Sequence, residues 1–206
     1  MTKKTLCLAI DTTSDCTSVA LLDSEGRSAS SQSTLSRGQG ECLMGLIQNL
    51  FTEYGCTPKD LTCLAVAVGP GSFTGVRIGL ATARGLALAL NIPVYGVNNF
   101  LATAYGLNQP VKVVLDSKRA DYFVQDFDAF CVPLDEPALL DALSLKASLP
   151  FVAVGSGAAL LADEIGCEVI SPVAPLALNV AHIALLRADL VQEPHPLYLR
   201  EADVTL

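Results

Sequence analysis

The chain has 206 residues, half of them hydrophobic, with a net charge of −8 and no low-complexity tract. That length buries a real core, as one large domain or two small lobes, and excludes disordered and fibrous classes. All the excess negative charge lies in residues 99–206, fourteen acids against six bases, while residues 1–98 balance at seven each; such a chain repels nucleic acid, so any RNA in its pathway should be held by another subunit.

Thr5–Ile10 is an apolar strand ending at Asp11, and after the turn Thr12-Thr13-Ser14-Asp15 a second strand, Thr17–Leu22, closes a hairpin. Arg27–Ser33 is polar and at best an edge strand. Gly38–Tyr54 reads as a helix, with Leu43, Leu46, Ile47, Leu50 and Tyr54 in one stripe and Met44 and Phe51 adding bulk elsewhere. Thr57-Pro58 has the form of an N-cap with proline at the first helical position, opening a short turn. Leu64–Val68 is a buried strand. The turn Gly69-Pro70-Gly71-Ser72-Phe73-Thr74-Gly75 follows, and then a helix, Val76–Leu90, which Thr74 can cap.

This central helix is apolar on nearly all sides and has only two charges, Arg77 and Arg84. One face needs its own sheet; the rest needs other cover. Gly75, Gly79, Ala83 and Ala87 form a stripe of small side chains that would let another helix approach closely, so the surface is expected to dock a partner. Pro93–Val97 is a strand, and Asn98 caps a helix running to about Leu107.

The second half repeats this grammar. Val111–Asp116 is a strand ending in Asp, followed by Ser117-Lys118-Arg119-Ala120 and the strand Asp121–Phe127; later come the strand Phe151–Val154, the turn Gly155-Ser156-Gly157 and the helix Ala158–Ile165. The spacing from Asp to the Gly-x-Gly turn shrinks from 58 residues (Asp11 to Gly69) to 39 (Asp116 to Gly155), so the second copy is abbreviated. Leu176–Leu190 is a further amphipathic helix and Pro196–Arg200 a possible terminal strand. The expected division is an N-terminal lobe with the docking helices, 1–99, and a reduced C-terminal lobe, 100–206.

For chemistry the residues leave alternatives open. Asp11-Thr12-Thr13 sits where actin-like and Hsp70-like kinases place a phosphate loop, yet an Asp bonded to its own turn reads the same, and those ATPases have glycine where Thr12 stands. The loop containing Gly69, Gly71, Ser72 and Gly75 offers backbone donors at a helix N-terminus, an anion site or simply a tight, closely packed turn; it lacks the ending of a P-loop. His182 and His195 have no ligand partners at recognised spacing, so no metal site is expected. No Ser or Cys has a base beside it in sequence. The seven cysteines, odd in number and without a C-x-x-C pair, suit a reducing cytosol. The first apolar run is too short for a signal peptide, and Val76–Leu90 is too short for a membrane span.

Leu8–Leu22 (LAIDTTSDCTSVALL) and Val66–Asn99 (VAVGPGSFTGVRIGLATARGLALALNIPVYGVNN) closely resemble the bacterial TsaB family, also called YeaZ, and Asp116-Ser117-Lys118-Arg119 and Pro196-Leu197-Tyr198-Leu199-Arg200 match in the expected order. The resemblance implies an α/β fold of two RNase H-like lobes of the actin-like ATPase type, the second abbreviated. It also implies a non-catalytic subunit that pairs with a paralogue, TsaD, which adds threonylcarbamoyl to N6 of the adenosine beside the tRNA anticodon. A small ATPase, TsaE, joins that complex. The family's helical face, here Gly38–Tyr54 and Val76–Leu90, forms homodimers or the TsaD heterodimer, which makes Glu41, Met44, Ile47, Phe51, Val76, Arg77, Gly79, Leu80, Ala83 and Arg84 the expected contacts. No cofactor is required, with ATP or ADP a candidate ligand only in the complex, and no membrane is involved. One departure is Gln39, where many relatives carry histidine. The competing readings are a glycoprotease-like metallopeptidase, which needs a histidine pair, and a small-molecule kinase of the actin superfamily.

Overall fold

The computed structural model describes residues 4–34, 39–187 and 189–200. Ser36-Arg37-Gly38, at the expected start of the first helix, lies outside them, as does the side chain of Gln39.

Two five-stranded sheets share one topology. In the first, β1 (Leu6–Asp11), β2 (Thr17–Asp23) and β3 (Ser28–Ser33) form an antiparallel meander, and β4 (Cys63–Ala67) and β5 (Val94–Val97) add in parallel, giving the order β3-β2-β1-β4-β5. In the second, β6 (Val111–Asp116), β7 (Asp121–Phe127) and β8 (Ala138–Asp141) make the meander, with β9 (Val152–Val154) and β10 (Glu168–Ile170) parallel, in the order β8-β7-β6-β9-β10. The duplication expected from the two strand–Asp and two Gly-x-Gly segments is thus a duplicated sheet. β1, β2 and β4 are buried along their whole length because both sheet faces are covered.

The helices show the abbreviation. α1 (Gln39–Tyr54, 16 residues) and α2 (Phe73–Leu90, 18 residues) cover the outer face of the first sheet; their counterparts α4 (Ala142–Lys146, 5 residues) and α5 (Ala158–Ile165, 8 residues) cover the outer face of the second. The remaining pair, α3 (Asn99–Ala104) and α6 (Leu176–Leu186), lies between the sheets and is exchanged: α3 packs on β6 and β7, whereas α6 packs on β1, β2 and β4. The layers therefore run α1/α2, first sheet, α3/α6, second sheet, α4/α5. The central core joins Cys7, Ala9, Ala65 and Ala67 to Val113, Leu115, Phe123 and Phe127 through Phe100, Val180 and Ile183.

Asn98 caps α3 as expected, its side chain accepting from Leu101 N–H at 2.8 Å. α2 begins earlier than expected: Ser72, not Thr74, is its cap, accepting from Gly75 N–H at 3.2 Å. The serine oxygen lies three residues ahead of that donor, the spacing a cap requires. α2 is long and apolar enough to cross a membrane, but its buried face lies on β4, β1 and β5. α6 stops at Leu186, short of Leu190. Pro196–Arg200 is not a strand; within residues 191–200 only Gln192 forms a bridge, to Gly96. β8, α4 and β10 were not expected from the sequence.

Candidate functional site

Two places collect the singled-out residues. The first is the cleft between the lobes, about 480 Å³, where β1 and β6 end in Asp11 and Asp116 and the two Gly-x-Gly turns meet them. Of the residues singled out for a nucleotide or anion site, Asp11, Thr13, Gly71 and Ser72 line it. Asp15, Asn99, Asp116, Lys118 and Ser156, which sequence reading did not assign to a site, line it too.

Each wall is tied down within its own lobe. The Asp11 carboxylate accepts from Thr13 N–H at 2.8 Å and Thr13 Oγ1 at 2.6 Å. Burial pushes Asp11 up to about 6, the two Thr13 hydrogen bonds only partly opposing it. Asn99 donates to Thr13 Oγ1 at 2.5 Å and to the Pro70 carbonyl at 2.9 Å, while its own oxygen accepts from Gly69 N–H at 3.2 Å. Ser72 N–H donates to the Thr13 carbonyl at 2.7 Å. In the second lobe Gly157 N–H donates to the Val114 carbonyl at 3.0 Å and Ser156 Oγ accepts from Asp116 N–H at 3.1 Å.

Of the two readings left open for the loop, an anion site or a tight packed turn, these bonds favour the packed turn. Three of its donors, the N–H groups of Gly69, Ser72 and Gly75, already serve Asn99, Thr13 and the Ser72 cap. Gly71 is glycine because any Cβ there would collide with the Thr13 carbonyl oxygen. Gly69 (φ 100°) is buried under the C-terminal segment, with the Leu197 carbonyl 2.8 Å from where a Cβ would stand. Thr12 does not face the cleft; its hydroxyl donates to the Gly75 carbonyl at 2.6 Å, beneath α2. The loop clamps two elements together, as the close-packing alternative required. Lys118 then joins the lobes, 2.5 Å from Asp15 and 3.0 Å from Asp116, and those carboxylates raise its pKa.

The second place is the outer face of α1 and α2, and here the structure divides the expected contacts. Glu41, Met44, Arg77 and Arg84 are exposed. Ile47, Phe51, Val76, Gly79, Leu80 and Ala83 are buried in the chain's own core and cannot touch a partner. The small-residue stripe faces the first sheet: a Cβ on Gly79 would lie 2.7 Å from Thr12 Oγ1 and 3.4 Å from Val66. It sets the approach of α2 to β1 and β4, not of another helix. Arg77 stacks 3.7 Å over the Phe73 ring and donates to Tyr198 Oη at 3.3 Å, and Arg84 donates to the Pro194 carbonyl. The two charges thus hold the chain's own C-terminal segment. What stays open on this face is Met44 (51% exposed) on α1 and Leu88 (84% exposed) on α2, with Gly45, Ala81, Gly85 and Ala89 among the exposed positions.

Comparison with known proteins gives the family and the fold. Residues 32–138 match the family model TsaD, tRNA N6-adenosine threonylcarbamoyltransferase. A curated relative, the tRNA threonylcarbamoyladenosine biosynthesis protein TsaB of Escherichia coli K12, is 38% identical over 99 residues, 48% of this chain and 42% of that protein. The chain spans about half the length of the curated relatives it matches, 42–52%. YeaZ from Pseudomonas aeruginosa superposes with a TM-score of 0.78 over 95% of this chain and all of that one, at 23% identity, which speaks for the fold. The Clostridium difficile activator of 2-hydroxyisocaproyl-CoA dehydratase, solved with bound ADPNP, superposes at TM-score 0.52 and 13% identity over 90% of this chain and 96% of that one, which places the two sheets in the actin-like ATPase fold. With the family model covering more than half of the chain, the chain belongs to the TsaD-type family, and the relatives it is similar to carry the TsaB and YeaZ names.

Proposed function

We propose that this chain is a non-catalytic subunit in the cytoplasmic synthesis of threonylcarbamoyladenosine on tRNA, acting by pairing with a catalytic paralogue of the TsaD type while a TsaE-type ATPase joins the complex. The observation that carries the reading is the state of the cleft. The Thr12 hydroxyl is turned away from it beneath α2, the donors of Gly69, Ser72 and Gly75 are committed to internal bonds, and Lys118 ties Asp15 to Asp116 across it. A site built this way positions two lobes and leaves little for a γ-phosphate. ATP or ADP, if the assembly uses it, then sits in the complex and not on this chain alone.

Pairing uses the outer face of α1 and α2, whether with TsaD or with a second copy. Met44 and Leu88 are large apolar side chains in water, flanked by small residues that let a partner come close. The acidic second half supports leaving the tRNA to the partner.

The experiment is a threonylcarbamoyl-transfer assay with tRNA and the activated adenylate. The chain alone should form no product, and adding TsaD and TsaE proteins should restore it. Turnover by the chain alone would defeat the proposal. The double variant Met44→Asp/Leu88→Asp should stay folded and lose roughly tenfold or more in affinity for TsaD by sedimentation; unchanged affinity would mean another face pairs.

A further inference from the structure

The segment between β7 and β8 holds Phe130, Val132 and Leu134 at 81%, 48% and 63% exposure. It is not a slack loop. The Asp128 carboxylate accepts from the N–H groups of Phe130 and Val132, both at 2.8 Å, and Asp128 N–H donates to the Val132 carbonyl at 3.0 Å. Leu134 N–H reaches the Asp126 carbonyl at 2.9 Å, and Asp135 accepts from Asp126 N–H at 2.8 Å. Such a turn holds its shape by backbone bonds and needs no phenyl group at its tip. The fold therefore fixes a large apolar side chain in water in a preorganised position, as a binding anchor requires.

Beside Leu134 lies an open groove of about 280 Å³ walled by Pro110, Phe127, Pro150 and Phe151. The rim is acidic. Asp128, Asp135 and Glu136 form no ion pair among the described residues, whereas the cations near them are taken: Lys112 is 2.7 Å from Asp126, and Arg187, beside Cys131, is 3.1 Å from Asp189. Three unbalanced carboxylates around an apolar anchor disfavour phosphate-rich RNA and anionic membrane alike. They also disfavour a second copy on the same patch, which would set these carboxylates against themselves.

We propose that residues 128–136 and the adjoining groove form a docking site for a basic segment of another protein, which receives Phe130 in an apolar recess and lays one apolar side chain into the groove beside Leu134. The inference uses no residue of α1 or α2 and stands apart from the pairing face proposed above.

The test places a photoreactive benzophenone amino acid at Val132 of the full chain, in cells that naturally make the protein, and reads the cross-linked peptide by mass spectrometry. The expected result is an adduct with a different protein through a peptide of net positive charge, with the yield falling roughly tenfold or more in Phe130→Ala and again in Glu136→Lys. Circular dichroism melting should show both variants folded, since both positions are at the surface. No adduct, an adduct with a second copy, with nucleic acid or lipid, or through an acidic peptide, or a yield unchanged in both variants overturns the proposal.

Discussion

Asp11 is the residue on which burial and charge conflict most openly. It is 2% exposed, its folded pKa is about 6, and among the described residues only Thr13 donates to it. Because the folded pKa lies above the ordinary 3.8, the folded state holds the proton more tightly than the unfolded state between those values. That contribution to stability is present at low pH and is lost as pH rises through 6. Asp11→Asn keeps the acceptor for Thr13 and removes the buried charge. It should stabilise the protein by about 1–3 kcal/mol at pH 7, and the gain should vanish near pH 4. Urea melts of both proteins at pH 7 and pH 4.5 check this; an equal difference at the two pH values would contradict it.

Asp23 is the opposite case. Burial would raise it, but the ion pair with Lys4 at 2.8 Å, the Tyr54 hydroxyl at 2.6 Å and the N–H groups of Glu25 and Arg27 outweigh burial and hold it well below the usual carboxylate range. Asp23→Ala leaves those donors unmatched where the β2–β3 turn meets the end of α1, so it should cost about 1–3 kcal/mol at pH 7, read by thermal melting.

At the scale of elements, α2 is fixed by what lies beneath it. A Cβ at position 79 meets Thr12 Oγ1 at 2.7 Å, and that hydroxyl is already donating to Gly75. Gly79→Ala should cost about 1–3 kcal/mol by displacing a buried hydrogen bond, and combining it with Thr12→Ala should cost less than the two changes summed. Additive losses in denaturant melts would show that the two sites do not touch. The C-terminal segment is a second case. Tyr198 lies 5.0 Å from the Phe73 ring, Leu197 N–H donates to the Val68 carbonyl at 2.8 Å, and Arg200 pairs with Asp121 of the second lobe. Tyr198→Ala should cost about 0.5–1.5 kcal/mol and make the segment after Val191 cleave faster in limited proteolysis.

At the scale of the molecule, the exchanged helices make each sheet depend on the other half of the chain. The inner face of the first sheet is covered by α6, more than seventy residues beyond β5. Residues 4–99 alone would leave Cys7, Ala9, Ala65 and Ala67 facing water, so this fragment should lack cooperative melting, whereas the full chain should melt in one transition. Sharp, dispersed amide signals from the fragment would refute this.

The sequence by itself determined what depends on near neighbours. Strands ending at Asp11 and Asp116, the caps at Asn98 and Thr57, α5 at Ala158–Ile165 and the duplicated order of elements all follow from runs and spacings of a few residues. The short elements β8, α4 and β10 escaped, because three to five residues at a half-exposed edge carry no period. Tertiary structure decided the rest. A stripe of glycine and alanine suits a sheet as well as a helix, and only the position of Thr12 and Val66 selects the sheet. Arg77 and Arg84 looked unpaired because their partners, Tyr198 and Pro194, lie 121 and 110 residues away. Asn99 and Lys118 join the cleft for the same reason: their partners Thr13 and Asp15 stand 86 and 103 residues distant, and chain closure alone brings them together.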